Sequence, residues 1–126
     1  MKILFSIIIF LSITYSAYGQ FSYLYSSIPA NDSISGTFDK NTFDLLSVDI
    51  PNGFQGTHIS FLHSSWLDST FIPLVYDSLL INVPVVTNST IAVKPWEIKS
   101  LRRYFRIKSD STESTAKQLK CDKGIF

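Results

Sequence analysis

The chain has 126 residues, a formal net charge of +1, 45% hydrophobic and 17% charged residues, and one cysteine. That length accommodates at most one domain beside a targeting segment, with a modest core. A single cysteine excludes an intrachain disulfide framework, and outside the first residues no apolar run approaches the ~20 residues of a spanning helix.

Residues 1–19 have the layout of a secretory signal peptide. Lys2 supplies a positive start, Ile3 to Ile13 an apolar run, and Ala17 and Gly19 the small residues of a cleavage site. The expected cut lies between Gly19 and Gln20. The alternative is an uncleaved signal anchor that holds the following domain outside a membrane. Residues 20–108 are then expected to be a β-rich extracellular domain.

Phe21, Tyr23 and Tyr25 alternate, as in a first strand with one aromatic face. Pro29, Asn31 and Asp32 read as a turn. Residues 43–50, FDLLSVDI, predict a strand with Leu46, Val48 and Ile50 on one face, closed by the turn-forming Pro51-Asn52-Gly53. Residues 57–63, THISFLH, alternate again, and the two runs are expected to pair as a hairpin. Pro73 within 71–76 and Pro84 within 78–86 mark edge strands or a bulge, because proline cannot donate to a sheet ladder. Residues 78–86 are otherwise expected to be a buried strand with Leu79, Ile81, Val83 and Val85 inward. Short strands at this spacing predict a small antiparallel β-sandwich, mainly β in class.

Residues 94–108, KPWEIKSLRRYFRIK, admit two readings. As a helix opened by Pro95, they would put Ile98, Leu101 and Phe105 on one side and Lys99, Arg102, Arg103 and Arg106 on the neighbouring arc. As a strand from Arg103 to Lys108, they would turn Phe105 and Ile107 inward. The helix is slightly preferred. Residues 109–126 are polar and read as a disordered tail.

Within 35–65, the stretch FDLLSVDIP with the following alternating strand resembles the extracellular β-sandwich of the myomaker-related family of multi-pass membrane proteins. Phe43, Leu46, Val48, Asp49, Ile50 and Pro51, then Ile59 and Phe61, carry the resemblance. It implies an ectodomain fragment or truncated product, because the multi-pass region that would carry any hydrolase chemistry is absent from this sequence. No catalytic residue is carried over.

Two N-x-S/T sequons, at Asn31 and Asn88, fall in expected loops, where an N-linked glycan can be accommodated. His58 and His63 lie five apart, which on a strand places them on opposite faces and rules out joint chelation from that strand. A His63–Asp68 contact is the one arrangement from which a small hydrolase could be built. No nucleophile elbow, phosphate-binding loop, H-E-x-x-H or C-x-x-C occurs, so neither catalysis, a metal nor a cofactor is expected. Trp66 and Trp96 are expected in the core.

The charge is uneven. Residues 20–92 hold one lysine and six aspartates, and 93–126 hold nine basic and four acidic residues. The two halves either attract each other or leave the basic arc Lys99, Arg102, Arg103 and Arg106 free for an anionic glycan or lipid surface. An exported chain is not expected to meet nucleic acid. Cys121, placed on a tail, would be either a free thiol or the link of a disulfide-bonded dimer. The expected function is that of a secreted, glycosylated, non-catalytic interaction module for a protein or an anionic surface.

Overall fold

The structure, a computed structural model, describes residues 22–125. The expected signal peptide with its cut between Gly19 and Gln20, and Phe21, lie outside the described residues. The chain forms β1 (Ser22–Ile28), β2 (Asp32–Ile34), β3 (Phe38–Asp39), β4 (Asp44–Ile50), β5 (His58–Ser64), β6 (Ile72–Pro73), β7 (Val75–Tyr76), β8 (Leu79–Leu80), β9 (Val83–Pro84), β10 (Ser89–Ala92), α1 (Pro95–Ile98), β11 (Tyr104–Glu113) and β12 (Lys117–Gly124). One antiparallel sheet has the order β1-β12-β4-β10. The other runs β2-β11-β5-β6, with β3 also on β11 and β9 also on β5. Ile28, Val48, Leu119 and Cys121 from the first sheet and Phe38, Ile59, Phe61, Phe105 and Ile107 from the second join one buried cluster. The fold is the expected mainly β, antiparallel sandwich.

The aromatic centre of that core comes from three strands. Phe105 of β11 stacks on Phe38 of β3 with ring centroids 5.0 Å apart, and meets Phe61 of β5 edge-on at 6.3 Å. Such pairs contribute about 0.5–1.5 kcal/mol each beyond the area they bury.

The expected strands at 43–50 and 57–63 form as β4 and β5, but they do not pair with each other. β4 lies between β12 and β10, and β5 pairs with β11, so residues 51–57 cross from one sheet to the other. The inward face of β4 also differs. Lys123 opposes Leu45 while Asp122 opposes Ser47, leaving Leu46 as an extra residue in the ladder. This bulge resets the alternation, so Leu45, Val48 and Ile50 are buried together and Leu46 is not.

The 78–86 segment is not one buried strand. Asp77 and Ser78 both adopt positive φ, 52° and 63°, which turns β7 back onto β8 as a tight hairpin outside the two large sheets. Leu79 is therefore 72% exposed, while Ile81 and Val85 return to the core. Pro73 and Pro84 do lie on the short edge strands β6 and β9, each against β5.

In the basic segment the helix is confined to Pro95–Ile98, and the strand reading holds from Tyr104 onward, with Phe105 and Ile107 buried. The expected tail at 109–126 is corrected outright. β11 continues to Glu113, and β12 fills an interior position between β1 and β4. Composition misled here because polar groups fill part of the inward face: Ser109, Glu113 and Lys117 are buried beside Leu119 and Cys121. Glu113 makes this tolerable. Its carboxylate accepts the N–H groups of Gln55 (2.8 Å) and Gly56 (3.1 Å) and the Ser109 hydroxyl (3.3 Å), with Lys117 Nζ at 3.9 Å.

Candidate functional site

The four basic residues do not form one arc, because the helix ends at Ile98, before all of them. Arg103 is held by Asp39 through two hydrogen bonds, Nε to Oδ1 at 2.9 Å and Nη2 to Oδ2 at 3.1 Å. That guanidinium, with the Asn41 N–H, holds the Asp39 carboxyl below the usual carboxylate range. Arg106 donates to Thr37 Oγ1 at 3.1 Å and lies 4.1 Å over the Phe71 ring. Both arginines are thus taken up by the opposite half of the chain, as is Lys120, which lies 3.7 Å from Asp49. Of the four, only Lys99 and Arg102 have side chains with no ion pair or hydrogen bond among the described residues.

The sequon asparagines both sit at exposed turns. Asn31, φ 64°, joins β1 to β2, and Asn88, φ 58°, immediately precedes β10 at the edge of its sheet. Asparagine is among the few residues that adopt this left-handed backbone readily.

The two histidines point to opposite sides, as their spacing requires. His63 is buried, and its Nδ1 accepts the Arg102 N–H at 3.1 Å. Burial, and then the Arg102 charge, push its pKa below the ordinary 6.5. Asp68 is exposed and makes no hydrogen bond or ion pair among the described residues, so the structure does not bring it to His63.

His58 instead approaches Asp110, which lies on β11 within the stretch whose polar composition predicts a tail. Its Nδ1 is 3.5 Å from Asp110 Oδ2, and Asp110 also accepts the Thr57 N–H (2.8 Å) and hydroxyl (2.7 Å). The Thr57 hydroxyl, then its N–H, hold the Asp110 carboxyl below its usual value. The cluster borders an open polar cleft of about 400 Å³ that also contains Ser60, Lys108 and Ser111. Among the described residues, Thr57 is the only hydroxyl hydrogen-bonded to His58, and that hydroxyl is already given to Asp110. The arrangement therefore fastens β5 to β11 and presents no activated nucleophile.

Cys121 is fully buried on β12, opposite Leu24 and Val48. Burial, with Asp122 and Asp49 nearby, pushes its thiol far up. The expectation of an accessible thiol linking two copies is corrected: the sulfur is inside the sandwich and cannot reach a partner while the domain is folded. No group of three or more metal-ligating side chains occurs among the described residues. Nor is any helix among them long and apolar enough to cross a membrane.

Two further surfaces emerge. Along 66–86 the side chains of Trp66, Leu67, Ile72, Val75, Tyr76, Leu79, Leu80 and Val86 are all exposed, including both strands of the β7–β8 hairpin. Around α1, a cavity of about 320 Å³ is bounded by Leu45, Ile98 and Leu101 below and by Trp96, Lys40 and Lys99 at its mouth. Both tryptophans, expected in the core, are exposed, Trp66 at 69% and Trp96 at 58%. Comparison with protein-family models, curated proteins and solved structures finds no match for this chain.

Proposed function

We propose that the protein is an exported, N-glycosylated, non-catalytic β-sandwich that works by binding a protein partner through its 66–86 segment. The observation that supports this is the run of large apolar side chains held outside the core on that segment. Folding normally buries such groups, and aromatic and aliphatic side chains left exposed on an ordered scaffold are the usual material of a protein interface. Their display is built in, since the positive-φ turn at Asp77-Ser78 fixes the hairpin that carries four of them. The signal-like opening and the turn-borne sequons support an extracellular setting.

A second reading, attachment to an anionic glycan or lipid surface, is supported by the free charges of Lys99 and Arg102. It predicts binding to heparin that weakens with salt and in Arg102→Ala.

The test is expression of the tagged full chain in secretory cells. Secreted protein should begin at Gln20 and lose mass with glycosidase, and Asn31→Asp and Asn88→Asp should each remove one glycan. Recovery in alkali-washed membranes with the N-terminal segment intact would replace secretion by an anchor. Labelled protein should bind cell surfaces saturably, and Tyr76→Ser with Leu79→Ser should abolish that binding without altering thermal unfolding. Undiminished binding by that variant would sink the proposed interface.

A further inference from the structure

The cavity beside α1 carries recognition groups that the fold leaves unused. Its floor is apolar and buried, made by Leu45 of β4 with Ile98 and Leu101, so it is shaped by the core itself. One wall is Trp96, which is exposed and whose indole N–H has no hydrogen-bond partner among the described residues. The two cations at the mouth are not equivalent. Lys40 donates one of its three N–H groups to the Phe43 carbonyl at 3.1 Å and feels the field of Asp44, which also lines the cavity. Lys99 is exposed and has no anionic partner among the described residues.

We propose that this cavity binds a small amphipathic monoanion, a carboxylate carried on an apolar chain. The chain lies on Leu45, Ile98 and Leu101 against the Trp96 face, and the carboxylate pairs with Lys99. Asp44 offsets Lys40, so the site offers one unpaired positive charge, which favours a monoanion over a cation or a multiply charged ligand. The volume is at the low end for small-molecule sites, and the mostly apolar walls with few polar groups follow their usual pattern. None of the lining residues belongs to the 66–86 segment, so the inference stands apart from the proposed protein interface.

Trp96 is its own reporter. In a Trp66→Phe background, decanoate below its micelle concentration should shift the remaining tryptophan fluorescence saturably. Decanol and decyltrimethylammonium should bind at least about tenfold more weakly, and Lys99→Gln should weaken decanoate by about tenfold, the scale of one lost charge-assisted hydrogen bond. Trp96→Phe with Trp66 retained should show no shift. Both positions are exposed, so the variants should keep the parent unfolding curve. Equal binding of decanol and decanoate, or no effect of Lys99→Gln, would overturn the assignment of an anion. A response to anionic vesicles but none to monomeric decanoate would overturn it in favour of a membrane surface.

Discussion

Single residues in this protein are governed by what the opposite sheet or a crossing loop places beside them. Cys121 should be inert to a water-soluble disulfide reagent in native buffer and react at once in denaturant. A native reaction at the rate of a free thiol would contradict its burial on β12. His63 gives a pH signature. Its folded pKa lies below 6.5, so below that pH the unfolded chain binds the proton first. Its contribution is complete above about 6.5 and is lost as pH falls toward the folded value. Denaturant midpoints should drop across that window, before the carboxylates Asp39 and Asp110 titrate, and the drop should flatten in His63→Gln, which keeps an acceptor for the Arg102 N–H. Gly56 has no room for a side chain, because an added Cβ would run into Ser109 Oγ and the Phe54 ring. Gly56→Ala should cost about 1–3 kcal/mol by overpacking, measured by urea unfolding. None of these environments is visible locally. His63 and Arg102 are 39 positions apart, and Gly56 and Glu113 are 57 apart.

At the scale of elements, the alternating period of two placed most strands, and proline correctly placed two edges. Pro73 and Pro84 each take one N–H away from the β6 and β9 margin of the second sheet, which weakens it as a template for another strand. β10 has no such residue at the other sheet's margin, and Asn88 stands at its start. On the proposed glycosylation, loss of the Asn88 sugar in Asn88→Asp should therefore raise the tendency to self-associate, read by light scattering. Pairing partners were not legible in the same way. β4 and β5 look like a hairpin in sequence because they are adjacent and both alternate, yet each finds a longer partner nearer the C-terminus. The bulge at Leu46 was equally hidden, since it exists only in the register with β12. The helical reading of 94–108 failed beyond Ile98 because a strand buries Phe105 against Phe38 and Phe61, a gain that no helical wheel contains.

For the molecule as a whole, the acidic front and basic back meet across the fold, in Arg103–Asp39 and Lys120–Asp49, rather than leaving a basic tail. These pairs are at the surface, and such pairs set register more than stability. The larger dependence is on β12. It contacts β1 along seven residue pairs and β4 along five, so truncation after Thr115 removes one of the two interior strands of its sheet. The truncated chain should show no cooperative thermal transition. A sharp transition like the parent's would mean that the C-terminal segment is dispensable, as a tail would be.

What the sequence determined by itself was the class of structure. Period-two alternation of β-branched and aromatic residues commits a segment to a pleated, half-buried surface whatever its partner, and prolines, sequons and the histidine spacing act over a few residues. What only the tertiary structure decided was which strand meets which, and therefore where charge and exposure fall. Residues 109–126 lack the apolar content to announce a strand, yet Ser109 to Glu113 complete β11 and Lys117 to Gly124 form β12, because Glu113 finds the N–H groups of Gln55 and Gly56 and β12 finds two neighbours. The same pairing separates the basic residues, buries Cys121 and leaves Trp96 over an apolar cavity, because side-chain direction follows from long-range register rather than from position in the chain.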